Sequence, residues 1–173
     1  MTGILTAPRG KGYTARLQLA RLTSADMQVS WSLTKAATGT GQTIGIIGRA
    51  VPTVGEYRAK AKISAKGVVT AQIVRTVKGV TTVLAKGTVK GITWKVGTSL
   101  RVRFQVVGTG TTQLKLRIWN TAATEPAAWT LTSSDKTKSL QAKGGLGLRG
   151  YTSGSCSSRS ATFRFDNFVV VGA

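Results

Sequence analysis

Polar and apolar residues alternate along most of this chain, and glycines break the alternation at short intervals. A period of two marks a half-buried strand, whereas an amphipathic helix repeats every 3.6 residues. The pattern predicts strands at 15–19, 27–33, 43–49, 56–63, 68–74, 81–85, 99–107, 113–119, 128–131, 145–149 and 162–171. Gly67, Gly79 and the Gly108–Gly110 pair fall between successive runs, where a tight hairpin needs a residue that tolerates positive φ. Pro8, Pro52 and Pro126 all lie outside the expected strand interiors. Short strands with turn signals at this spacing predict an all-β, two-sheet antiparallel sandwich, with residues 15–173 as one domain and residues 1–14 as a lead-in.

Alternation also sorts side chains by face. Tyr57, Ala59, Ala61 and Ile63 share one side of their strand, and Arg58, Lys60 and Lys62 the other. Leu100, Val102, Phe104 and Val106 oppose Arg101, Arg103 and Gln105; Leu114, Leu116 and Ile118 oppose Lys115, Arg117 and Trp119. If these strands share a sheet, Arg58, Lys60, Lys62, Arg101, Arg103, Lys115, Arg117 and Trp119 form one basic field around an exposed ring. Guanidinium forks hold carboxylate or phosphate, and rings stack on sugars or bases. The plainer alternative is a solvated strand face, with Trp119 packed under a loop.

Charge sharpens this picture. Lys and Arg number 25 against 5 acids, a net +20. Such a chain attracts polyanions: acidic polysaccharide, wall glycopolymer, nucleic acid or an anionic membrane surface. A general surface character, with no specific partner, accounts for the same excess. No apolar run is long enough to predict a membrane span, and the first ten residues lack the build of a signal peptide.

The absent chemistry is informative too. With no histidine there is neither a Ser–His nor a Cys–His pair, and Cys156 has no base to activate it. The acids Asp26, Glu56, Glu125, Asp135 and Asp166 give no adjacent pair on one strand face, as a glycosidase requires. The expectation is a protein that is not an enzyme and has no cofactor. Calcium is the one open metal, with Asp26 and Asp166 its best ligands; ordinary ion pairing or turn capping is the rival role for both.

The second half carries more specific motifs: Val102–Phe104, Arg117–Trp119, Glu125–Trp129, Asp135, Gly144–Arg149 and Phe165–Phe168. With these, the sequence from Ala15 onward resembles the concanavalin A-like, laminin-G-like jelly-roll domains of secreted actinobacterial surface proteins and actinobacterial phage tails. The resemblance implies two packed antiparallel sheets, one convex and one concave, and carbohydrate recognition or adhesion outside the cell, at a cell surface or on a virion. It implies that Glu125-Pro126 forms a turn and that Trp129 plugs the core, with Trp31 and Trp94 in the core or at its rim. Arg149, Tyr151 and Arg159 would line one edge of a groove. Family members usually carry extra N-terminal strands and are near-neutral or acidic, so the charge of this chain is unusual among them. The expected function is a non-catalytic, lectin-like module for an anionic polysaccharide or cell-wall polymer. The alternatives are a structural unit of a surface fibre or phage tail and a non-specific nucleic-acid binder.

Overall fold

The computed structural model describes residues 3–171, with backbone alone for 18–20. Twelve strands and one 3-10 turn follow in order: β1 (Gly3–Pro8), β2 (Gly12–Leu22), β3 (Ala25–Leu33), β4 (Gln42–Val51), β5 (Gly55–Ile63), β6 (Val68–Val77), β7 (Val80–Thr93), β8 (Leu100–Val107), β9 (Thr112–Asn120), β10 (Leu131–Asp135), the turn Lys138–Leu140, β11 (Gly144–Thr152) and β12 (Ser160–Val171). They form two six-stranded sheets. Sheet A has the order β1-β12-β3-β8-β9-β10, and sheet B the order β2-β11-β4-β5-β6-β7. Every ladder between named strands is antiparallel.

Local sequence explains the meander β4–β7. Strands β6 and β7 are joined through Lys78 and Gly79 alone, with φ of 47° and 83°. Two consecutive positive values match the twist of a two-residue hairpin, and the glycine adopts its value without steric penalty. The late strands then interleave with the early ones: β11 enters between β2 and β4, and β12 between β1 and β3.

The inner faces meet as the alternation predicts. Met27, Val29, Trp31, Leu100, Val102, Phe104, Leu114 and Leu116 of sheet A pack against Ile44, Ile46, Tyr57, Ala59, Ile63, Val69 and Ile73 of sheet B. Full burial of each large side chain contributes about 1.5–3 kcal/mol. Gly48 faces this layer, where an added Cβ would press on Met27, Phe104 and Val106 from the opposite sheet.

Three expectations need correction. The presumed lead-in is part of the sandwich: β1 pairs with β12, and β2 begins at Gly12. The strand placed at 128–131 begins instead at Leu131 and runs to Asp135. The short strand at 81–85 is a fourteen-residue edge strand, β7. Two buried polar assemblies join the sheets. Tyr57 of sheet B donates to Asp135 of sheet A at 2.8 Å. Arg49, fully buried, donates to Thr112 Oγ1 (2.9 Å) and to the carbonyls of Leu140 (3.1 Å), Gly108 (2.8 Å) and Thr23.

Candidate functional site

The single basic field does not exist. Arg58, Lys60 and Lys62 lie on β5 in sheet B, whereas Arg101 and Arg103 on β8, and Lys115, Arg117 and Trp119 on β9, lie in sheet A. Each group faces outward, so the two look in opposite directions. Alternation fixes which side of its own strand a residue occupies, but not which sheet the strand joins.

On sheet A, Arg103 and Arg117 are already engaged by acids, while Arg101 bonds Ser30 Oγ at 3.2 Å and Lys115 lies over the Trp129 ring. Arg103 grips Asp26 through Nε (3.0 Å) and Nη2 (2.6 Å) and reaches Glu125 with Nη1 (2.8 Å). Arg117 is 8% exposed. It pairs with Glu125 and donates to the carbonyls of Ala127 (2.6 Å) and Ala128 (3.2 Å). Its guanidinium stacks 4.1 Å from the centre of the Trp129 ring. Trp129 is therefore not a core plug; it lies half-buried on the outer face and anchors the 121–130 loop with Arg117. Trp119 is not an exposed ring either, being 4% exposed. Trp31 is in the core, and Trp94 is buried with its indole donating to Thr98 O at 2.9 Å. Hydrogen bonds to Asp26 and then to Glu125 raise Arg103 above the ordinary arginine value. Burial pushes Asp26 up, but Arg103 and Gln105 outweigh it and bring its value below normal.

The calcium expectation fails on the same geometry. Both Asp26 oxygens accept from Arg103, and Gln105 adds a bond at 2.7 Å. Asp26 pairs in register with Val171, and Asp166 with Ser30, so four residues of β3 separate them, roughly 13 Å. Among the described residues no three candidate ligands cluster.

The outer face of sheet B is different. Its ladders align three rows across the strands. One row runs Gly12, Tyr151, Thr43, Lys62, Thr70, Thr88. The next runs Thr14, Arg149, Gly45, Lys60, Gln72, Lys86, and the third Arg16, Gly147, Ile47, Arg58, Val74, Val83. Arg149 and Lys60 thus flank Gly45, which carries no side chain. Arg58 folds into the space beside it, where a Gly45 Cβ would stand 2.7 Å from Arg58 Cδ. A hollow of about 270 Å³ lies over these rows, lined by Thr43, Gly45, Arg58, Lys60, Gln72 and Tyr151 among others. It continues past Arg58 and Arg149 into a larger one of about 730 Å³ that reaches Arg16, Arg21 and Lys78.

Among the described residues, Glu56 is the one acid lining this groove. It accepts from Arg58 Nε at 2.8 Å and also from Nη2, and from Arg16 Nη2 at 3.3 Å. Among the described residues no ion pair engages Lys60, Lys62 or Arg149. Burial, then the charges of Arg58 and Arg149, hold the Lys60 ammonium below the usual lysine range against a smaller pull from Glu56. Burial and then Arg58 lower Arg149 likewise. Like charges held together out of water disfavour the free groove and favour an anion that enters it.

Of the residues singled out from sequence, Arg58, Lys60, Lys62, Arg149 and Tyr151 come together here. Arg159 does not line the groove. Arg16, Thr43, Gly45, Glu56, Gln72 and Lys86 complete the face and were not anticipated. The same alternation, extended from β5 to its neighbours β4 and β6, places Thr43, Gly45 and Gln72 on it.

No protein-family model and no curated protein matches the sequence. Solved structures do resemble the fold. The carbohydrate-binding module CBM66 from Bacillus subtilis aligns over 98% of this chain and 96% of its own, at 14% identity and TM-score 0.58. Alginate lyase A1-II′ in complex with substrate aligns over 98% of this chain and 77% of its own, at 12% identity and TM-score 0.63. Sheep galectin-11 aligns over 95% and 98%, at 9% identity and TM-score 0.53. The chain spans 28% of the length of a GH43 protein from Bacillus licheniformis that it also resembles, at 13% identity and TM-score 0.57. With two six-stranded antiparallel sheets and these likenesses, the chain is a concanavalin A-like jelly-roll sandwich.

Proposed function

We propose that this chain is a non-catalytic binding module that holds an anionic polysaccharide or cell-wall glycopolymer along the grooved face of sheet B. The observation that carries the reading is the row Arg149, Gly45, Lys60: two cations without ion-pair partners among the described residues, on either side of a position with no side chain. A polymer in the groove would relieve their mutual repulsion. Tyr151, 38% exposed, offers a ring to a sugar, and Thr43 and Gln72 offer hydrogen bonds to hydroxyls. The likeness to a carbohydrate-binding module and a galectin favours a sugar ligand, and it suits a place outside the cell, on a cell surface or on a virion. The lack of any histidine, and the engagement of Glu56 by Arg16 and Arg58, favour binding over catalysis.

The test compares charge reversals on the two faces. Lys60→Glu with Lys62→Glu should weaken binding to acidic polysaccharide at least about tenfold at roughly 0.15 M salt, and Lys115→Glu on sheet A should change it less than about twofold. Equal losses from both faces, or binding to every polyanion that vanishes at that salt, would refute a site on sheet B.

A further inference from the structure

We infer that the ligand of this groove is a polyuronate, a chain whose negative charge is a carboxylate borne on the sugar ring itself. The inference rests on the reading of the sheet B face as a polysaccharide site and narrows its ligand class.

Three features point to it. The first is the spacing of ring and charge. Tyr151 and Arg149 are two residues apart on β11 and face the same way, about 7 Å along the strand. Lys62 and Lys60 repeat that offset on β5. A sugar lying on Tyr151 therefore has cations within reach of a group attached to its own ring or to the next. A glycerol-phosphate polymer has no sugar ring in its backbone for Tyr151 to meet beside the charge.

The second is the fixing of the guanidinium groups. Arg149 Nη1 donates to Thr14 Oγ1 at 3.0 Å, and a side chain at Gly12 would collide with that guanidinium at 2.6 Å. Arg58 is held by Glu56. The Nε–Nη2 edge of Arg58 is spent on Glu56, so the planar fork that a two-oxygen anion would meet is that of Arg149, held in one orientation.

The third is Glu56. The groove already contains one carboxylate, tied to Arg16 and Arg58 and half ringed by cations. The fold thus displays, with its own side chain, the pairing the ligand would repeat one row further along, where Arg149 and Lys60 await an acid. The span from Glu56 to Lys62 is six residues, roughly 20 Å. A short run of sugars fits it better than a single one, with the polymer lying along the strands.

The experiment is calorimetric binding at roughly 0.15 M salt. The probes are oligogalacturonates of four to six residues, the same oligomers after carboxyl reduction, a glycerol-phosphate wall teichoic acid and dextran sulfate. The intact protein should bind the oligogalacturonate about tenfold or more above the teichoic acid and the sulfated dextran at equal charge, and should not bind the reduced oligomer. Tyr151→Ala should lose roughly five- to tenfold with the salt slope kept, and Lys60→Met should lose affinity and lower that slope by about one ion. Both positions are on the surface of the groove, and an unchanged melting temperature establishes that each variant is folded. Equal or stronger binding of teichoic acid or dextran sulfate overturns the uronate assignment and leaves the polysaccharide site standing. So does an unchanged affinity in Tyr151→Ala. Binding to none of the four probes overturns the site itself.

Discussion

Arg49 is the side chain that ties the β2–β3, β8–β9 and 3-10 turns together, and Arg49→Met tests this. The substitution keeps most of the stem and removes the guanidinium. Four acceptors then lose a donor: the carbonyls of Thr23, Gly108 and Leu140 and the hydroxyl oxygen of Thr112, with Gly108 keeping only a long bond from Thr112 at 3.4 Å. They belong to the β2–β3 turn, the β8–β9 turn, the 3-10 turn and the start of β9. Hydrogen bonds to a charged donor contribute about 1.5–3 kcal/mol each, but among the described residues no carboxylate pairs with Arg49, so burial of its charge offsets several kcal/mol of that sum. Burial accordingly lowers its value below that of free arginine, and the charge of the nearby Tyr57 phenol group gives part back. Stranding the acceptors leaves a net loss of about 3 kcal/mol or more. For a chain of this size, that lowers the melting temperature by roughly 6–12 °C. Thermal and urea unfolding monitored by circular dichroism would measure it. A melting temperature within about 2 °C of the parent, or above it, would refute the argument and show that desolvation of the guanidinium outweighs its bonds.

Gly48→Ala should destabilise by about 1–3 kcal/mol in the same urea assay, because the new Cβ overlaps Met27 and Phe104 at 2.9 Å and Val106 closer still; an unchanged midpoint would mean the sheets separate freely there. Lys60 is held below the ordinary lysine value of 10.5. The fold disfavours its charge, so stability should rise as pH climbs from the folded value toward 10.5, while polygalacturonate binding weakens over the same interval. Lys60→Met should lose both trends, and their persistence would assign them to another group. Tyr57 is pushed up to about 12 by burial and by its bond to Asp135. Its raised value stabilises the fold below pH 10 and ceases to do so as pH passes about 12, so phenolate absorbance should show one of the 3 tyrosines resisting ionisation until then.

The local pattern was legible in sequence because it depends on neighbours two residues apart. Arg58, Lys60 and Lys62 on one side of β5, with Tyr57, Ala59, Ala61 and Ile63 on the other, needed nothing beyond alternation. Sheet membership was not legible, because β5 and β8 alternate identically while joining different sheets. Arg49 also escaped that reasoning. Strict alternation from Thr43 would turn it outward, but the register shift between Ile47 and Arg49 brings it opposite Tyr57 on the inner face. The start of β10 was misplaced for another reason. Arg117 takes up the carbonyls of Ala127 and Ala128, so those residues serve a side chain instead of a ladder. Of the five candidate residues that do converge, Arg58, Lys60 and Lys62 were found by alternation, and Arg149 and Tyr151 by their place beside the Gly/Ser-rich stretch. Gly45 was passed over because a site can be defined by the side chain that is missing from it.

The pairing of β1 with β12 has a practical meaning for how this molecule can be mounted. Gly3 stands opposite Phe165, and β12 runs on past it to Val171, so both ends of the described chain leave from the same end of sheet A. The groove opens on the far side of the other sheet. A tag, a bead or a neighbouring protein joined at either end is therefore carried behind the grooved face. An immobilised array of the protein would present the cations of sheet B outward, and a circular permutant closed by a short linker between the ends would leave every row of the groove unbroken.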